Sequence, residues 1–228
     1  MRNLRDLFSS IADVYDRMNA ILSLGRDRYW RSAAVCRINH QPRQVLDIAS
    51  GTGDLAFAAA KRFPDASIVG LDVSVSMLEI ARAKNRFGNV RFMEANAAKL
   101  SEIQGLNLSD GVDLVTCAFG FRNFNDRVAV IREIGKVLRR EGCLIVLEFF
   151  PSRFRIMRFF LRLWIRVVSS VLAPGRKEAY AYLAASIDKM IPEDDFVRLL
   201  ELGGFSLVSR RHFFPRLWFA GVYPIWLK

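Results

Sequence analysis

Apolar residues along this chain follow two alternating rhythms. Short continuous runs at 45–47, 68–71, 90–94, 112–119 and 143–148 have the length and branched content of buried strands. Between them the apolar positions recur every three or four residues. Leu55 to Ala60, then Met77, Leu78 and Ala81, then Val130, Ile131, Ile134 and Leu138 mark helices over 55–63, from Ser74 onward, and over 126–140. Pro64-Asp65, Gly88-Asn89 and Glu141-Gly142 punctuate these segments. Repeated strand-helix units predict an α/β fold with a doubly wound, mostly parallel sheet.

The ends of the chain read differently. Leu4, Leu7, Phe8, Ile11, Tyr15, Met18 and Leu22 form one face of a helix over 4–22. From 151 to 173, Arg155, Arg158, Arg162 and Arg166 make a narrow stripe, with Met157, Phe160, Trp164, Val168 and Val171 expected opposite. Either anionic lipid or a solvated surface suits such a helix, and its arginines keep it from spanning a bilayer. Further helices are expected over 180–187 and 192–202. A strand at 205–208 then pairs with an aromatic segment, 218–226, as an antiparallel hairpin. The whole, 1–228, reads as a single domain: a helical arm (1–40), a core (41–150), a helical lid (151–203) and C-terminal strands (204–228).

Candidate chemistry gathers at the turn VLDIASGTGD, from Val45 to Asp54. Gly51, Thr52 and Gly53 sit between a strand and a helix, where glycine lets a polar ligand approach backbone N–H groups. Asp47 stands beside that turn, where a carboxylate repels a pyrophosphate and attracts an ammonium group. Asp72 ends the next strand and is placed to accept two ribose hydroxyls. A ligand with a ribose and an amino-acid tail but no phosphate fits this charge pattern, which points to S-adenosyl-L-methionine rather than a nicotinamide dinucleotide. Asn96 and Ala97, after the third strand, are candidates for its adenine. Arg122 and Asn123 follow the fourth strand, at the carboxyl edge where open α/β sheets bind ligands. Arg122 either pairs with Asp126 or solvent, or stabilises an oxyanion of the substrate. Tyr15 and Asp16 either pack the arm or close over the reacting end of the cofactor.

Composition adds a partner. A net charge of +11 calls for an acidic surface, either nucleic acid or anionic membrane. Mean hydropathy of +0.15 leans towards the membrane. Three cysteines without metal-type spacing argue against a disulfide framework, with Cys117 and Cys143 read as buried in apolar runs, and the amphipathic start argues against a secretory signal, so a cytosolic protein is expected.

These residues resemble the ubiquinone/menaquinone biosynthesis C-methyltransferases over nearly the whole chain. The carriers are Tyr15-Asp-x-Met-Asn19, Leu22-Ser23, Trp30, the Asp47-to-Asp54 turn, Asp72-x-Ser-x-x-Met-Leu78, Phe119-Gly-Phe-Arg-Asn123, Leu147-Glu148 and Tyr180-x-Tyr-Leu-x-x-Ser-Ile187. The resemblance implies a class I, Rossmann-like methyltransferase that methylates a ring carbon of a prenylated quinol without a metal. It implies Arg122, Tyr15 and Asp16 as catalytic, and Asn123, Tyr180 and Tyr182 as substrate contacts. It also implies peripheral attachment to the inner face of the cell membrane and admits a homodimer. The chain departs from the family pattern at Asp27, where a histidine is usual, and at Ala118 and Phe150, where serines occur. An RNA methyltransferase would suit the charge, but the chain lacks an Asn/Asp-Pro-Pro-aromatic motif and a Pro-Cys pair. A non-catalytic membrane-bound regulator on the same fold is the other alternative.

Overall fold

The computed structural model describes residues 4–106, 110–152, 154–172, 177–213 and 219–227. Three helices come first, α1 (Leu4–Ser9), α2 (Ala12–Leu22) and α3 (Asp27–Val35). The alternating part follows as β1 (Gln44–Ile48), α4 (Asp54–Arg62), β2 (Ser67–Asp72), α5 (Val75–Lys84), β3 (Val90–Glu94), β4 (Val112–Ala118), α6 (Arg127–Val137) and β5 (Leu138–Phe150). After it come α7 (Arg155–Leu172), α8 (Lys177–Lys189), α9 (Glu193–Leu202), β6 (Phe205–Leu207), β7 (Arg211–His212) and β8 (Phe219–Leu227).

The sheet runs β3-β2-β1-β4-β5-β8-β6, parallel from β3 to β5. β8 then lies antiparallel between β5 and β6. Chain order reverses between β1 and β4, whose register pairs Asp47 with Thr116. The carboxyl ends of β1, β2, β4 and β5 therefore open on one edge, with the crevice of an open α/β sheet between them.

Both sheet faces are covered, as near-continuous apolar strands require. Leu46, Val115, Leu144 and Val146 pack with Ile131, Ile134 and Phe196 on one side. Val45, Leu114, Ile145 and Leu147 pack with Trp30, Ala56 and Leu78 on the other. A third cluster joins Ile11 and Met18 of α2 to Met77, Ile165, Val168 and Ile187. It fastens the N-terminal arm over the carboxyl edge; Met18 is only 2% exposed, and such a burial stabilises by roughly 1.5–3 kcal/mol.

Four sequence expectations change. The continuous helix over 4–22 is two helices, because Ser10 turns its hydroxyl back to the Leu7 carbonyl and competes with the helical ladder. The helix expected to reach Arg140 stops at Val137, and Leu138 pairs with Val112 instead. Glu141 (φ 63°) and Gly142 then form a bulge before Leu114 meets Cys143. β7 adds a short strand beside β8 that the sequence did not announce. Finally, α7 carries more apolar surface than one face can bury. Ile165 and Val168 point inward, whereas Phe160 is exposed along with Ile156, Phe159, Leu163 and Val167. The side chains of Met157 and Val171, the other two residues expected on the apolar face, lie outside the described residues.

Candidate active site

At the end of β1 the backbone turns back sharply, with positive φ at Ala49, Gly51 and Gly53. A Cβ on Gly53 would lie 2.7 Å from the Phe92 ring and 2.9 Å from that of Phe57, so both angle and space demand glycine. Asp72 ties this turn to the next strand. Its carboxylate accepts the Gly51 N–H and the Ser74 N–H, each at 2.8 Å. Burial raises its pKa, and the backbone N–H groups pull it back. A carboxylate has about four acceptor positions, so two remain for hydroxyl groups in the cleft.

Asp47 is 1% exposed and accepts from Ser50 Oγ at 2.6 Å and Thr116 Oγ1 at 2.7 Å. Burial pushes its pKa up to about 6, against the lowering effect of those hydroxyls. It shares a small polar pocket with Arg31, Gly51, Thr52 and Ala118. A buried carboxylate and a buried guanidinium lining one pocket match both charges of an amino-acid zwitterion. Arg31 was not among the sequence candidates; its signal was only its place beside Trp30. It is held by Asp27 at 2.6 Å, so the residue standing where a histidine is usual serves as its counter-ion.

A cleft of about 450 Å³ extends from this pocket, lined by Gly51, Asp72, Val73, Met77, Asn96, Ala97, Asn123 and Tyr15. Asn96 is less free than expected, because its carbonyl caps the following turn by accepting the Ala98 N–H at 2.9 Å. Its amide nitrogen and the Ala97 backbone are left for an adenine. Beyond the cleft lies a narrower pocket of about 50 Å³, walled by Leu22, Trp30, Phe119, Phe149, Trp164 and Ile187 and holding Arg122. Phe119 and Phe149 stack at 4.7 Å between centroids. Tyr15 lines all three cavities.

Arg122 is 7% exposed, and Nη1 contacts Glu148 Oε1 at 2.5 Å. Its Nε donates to Ser186 Oγ at 3.3 Å, and its guanidinium lies 5.8 Å from the Phe119 centroid. Neither Asp126 nor solvent is its partner, since Asp126 caps α6 through the Ala129 N–H. Asn123 lines the cleft and accepts from the Tyr182 hydroxyl at 3.3 Å. The Tyr180 side chain lies outside the described residues.

Asp16 is engaged where the arm meets the glycine turn. Its carboxylate takes Thr52 Oγ1 at 2.5 Å and Lys84 Nζ at 2.5 Å, and Lys84 also reaches Asp54 at 2.6 Å. These contacts latch α2 onto the glycine turn, and Asp16 lines none of the three cavities. Lys84, at the end of α5, gave no sequence signal because its partners lie far away in the chain.

With this geometry in view, comparison with known proteins is decisive: the ubiE/COQ5 methyltransferase family matches residues 1–215. The chain belongs to that family. It is 38% identical over 214 residues to a demethylmenaquinone methyltransferase of Thermotoga maritima, covering 91% of this chain and 90% of that one. To the ubiquinone/menaquinone biosynthesis C-methyltransferase UbiE of Rickettsia peacockii it is 34% identical over 220 residues, covering 92% and 87%. Solved structures agree on the fold. A SAM-dependent methyltransferase from Aquifex aeolicus superposes with a TM-score of 0.65 at 15% identity, over 93% of this chain and 98% of that one. The plantazolicin methyltransferase BpumL, in complex with SAH, gives 0.65 at 15%, over 96% and 90%.

The chain is thus a methyltransferase of this family, and the chemistry of its cleft fits S-adenosylmethionine: Asp72 would take the ribose, Ala97 the adenine, and Asp47 with Arg31 the tail. The RNA and regulator alternatives lose their footing with that membership. Two departures from the family pattern are also accounted for. Ala118 lines the cleft without a polar role, and Phe150 is buried against Phe196 at 5.5 Å, a packing position.

Proposed function

We propose that this chain transfers a methyl group from S-adenosylmethionine to a ring carbon of a prenylated hydroquinone, converting demethylmenaquinol to menaquinol. The observation that carries this reading is the meeting, at Tyr15, of a polar cleft suited to the cofactor and an apolar, aromatic pocket holding a buried guanidinium. When bound, the cofactor supplies an electrophilic methyl. Arg122 would stabilise the oxyanion left when a ring hydroxyl loses its proton, and that oxyanion raises electron density on the adjoining carbon. Tyr15, at the junction, would orient the ring and pass on the proton. Phe119 and Phe149 would hold the ring plane. Asn123 with Tyr182 would close the cleft side, and Asp16 is assigned to latching the arm.

A prenylated substrate lies in a membrane, and α7 suits that location. No helix among the described residues is long and apolar enough to cross one. Yet Ile156 and Phe159 are each 59% exposed and Phe160 52%, with Arg155, Arg158, Arg162 and Arg166 along one side. This supports peripheral contact with an anionic leaflet, facing the cytoplasm. On the same helix Leu161, Trp164 and Ile165 line the apolar pocket. Serine at both Phe159 and Phe160 should therefore weaken sedimentation with phosphatidylglycerol vesicles about tenfold or more while leaving cofactor affinity unchanged. A homodimer would close over this same face, and light scattering without vesicles separates the two; unaltered sedimentation of the double variant would remove α7 from the contact.

Asp47 makes the cofactor step pH-dependent. Its folded pKa, about 6, exceeds the ordinary 3.8, so the carboxyl is easier to keep protonated in the fold and costs stability as pH rises from about 4 through 6. The full cost is about 3 kcal/mol above that range. An ammonium group beside Asp47 favours the carboxylate. Cofactor affinity should then fall as pH drops below about 6, by up to about tenfold per pH unit, with a proton released on binding. Calorimetry in buffers of different ionisation enthalpy checks this; equal affinity at pH 5 and 7 would detach Asp47 from the tail.

The reading itself is tested by offering labelled cofactor with reduced demethylmenaquinone or a demethylated ubiquinone precursor in liposomes. Label in the naphthoquinol is expected. Label in the benzoquinol alone would change the ring.

A further inference from the structure

The apolar pocket contains a feature that neither Arg122 nor the cofactor groups explain. Asn19 Nδ2 and Trp30 Nε1 are buried side-chain donors with no hydrogen-bond partner among the described residues, and both residues line this pocket. Buried donors are paired in the great majority of cases, and an orphan forfeits the hydration it had in water. Two in one pocket need a common reason.

The charged groups lining the pocket, and Ser23, are already engaged. Asp27 receives Arg31 and the Ser23 hydroxyl, Ser23 also reaches the Ala20 carbonyl, and Arg122 holds Glu148 and Ser186. None of these accepts from Asn19 or Trp30. The indole is fixed edge-on to Phe149 at 5.9 Å and stacked with Phe213 at 6.1 Å, so it does not swing away to find another partner. The ligand must therefore bring the acceptor.

We propose that Asn19 Nδ2 and Trp30 Nε1 form a seat for a ring oxygen of the methyl acceptor, which makes them specificity-determining residues for an oxygen-bearing aromatic ring. The proposal rests on the reading above that such a ring enters this pocket. With Arg122 also a donor, this corner of the pocket favours a phenolate over a neutral hydroxyl and disfavours a plain hydrocarbon, which would leave Asn19 and Trp30 unpaired. The two residues come from α2 and α3, so the helical arm contributes to acceptor recognition as well as covering the cleft.

The test uses two probes of the same shape, 1-naphthol and naphthalene, titrated into the whole protein with cofactor present. The native chain should bind the naphthol more than tenfold tighter, at about tenfold per donor satisfied. It should also lower the pH at which the bound naphthol ionises, read from naphtholate emission. Asn19→Asp turns a donor into an acceptor, and Trp30→Phe removes the indole N–H while keeping an aromatic ring. Each should shrink the preference by about tenfold and raise the ionisation pH, with cofactor affinity unchanged as a control on the arm. A preference that survives in both variants overturns the seat. Failure of methyl transfer with the preference intact removes the quinol substrate but keeps the seat. Methyl transfer with no preference in the native chain removes the seat and keeps the substrate.

Discussion

Arg122→Ala is expected to lose about 3–5 kcal/mol of folding stability as well as most of its turnover. Glu148 is 0% exposed and also accepts the Phe149 N–H and the Arg122 N–H. Removing the guanidinium strands a buried carboxylate that has no other charge partner among the described residues. A fall in activity from this variant alone would not distinguish lost chemistry from lost structure. Arg122→Met with Glu148→Gln separates them, because glutamine carries no charge and still keeps one acceptor oxygen for the two backbone N–H groups. Urea denaturation should show the double variant recovering most of the lost stability. Its turnover should still lie about 10²–10³-fold below the native level, the range for loss of an oxyanion-stabilising donor. Recovered turnover would assign Arg122 to structure alone.

Asp72 is the second large effect, now on cofactor binding. Alanine there removes the ribose acceptor and orphans the Gly51 and Ser74 N–H groups, so the glycine turn loosens where the ligand needs it fixed. A loss of affinity on the order of a thousandfold follows from two charge-assisted hydrogen bonds at 1.5–3 kcal/mol each. Asparagine is no substitute. Both carboxylate oxygens accept from N–H groups, so an amide must turn its own donors against one of them. Asp72→Asn should therefore weaken cofactor binding by about a hundredfold, read by calorimetry. Binding within a few-fold of native in either variant would move the ribose elsewhere.

The parts of the fold read most directly from sequence were those governed by local pattern. The runs ending at Asp47, Asp72 and Glu148 announced their own strands, and their common edge followed from parallel order. Gly51 and Gly53 carried the turn because only backbone freedom explains them. Ser10 broke one expected helix through competition, and the pairing of Leu138 with Val112 shortened another, neither of which the apolar period registers. Long-range charge pairing was the least visible layer. Asp16 stood out beside Tyr15, whereas its contacts with Lys84 and Thr52, distant in sequence, were not legible. Arg122 stood out by position, but Glu148 as its buried partner required two strands to be placed side by side. The exposed stripe on α7 was half visible: the arginines were clear, whereas Phe160 was assigned to the wrong face because a second apolar surface shares the helix.

The central claim is carbon methylation of a reduced ring. Its most direct test is ¹³C-methyl-labelled S-adenosylmethionine, incubated with the protein and demethylmenaquinone in liposomes, reduced in one sample and oxidised in the other. The account predicts a ¹³C-methyl on the ring carbon beside a hydroxyl-bearing carbon, formed only from the reduced substrate. An O-methyl product, or equal transfer to the oxidised quinone, would contradict it.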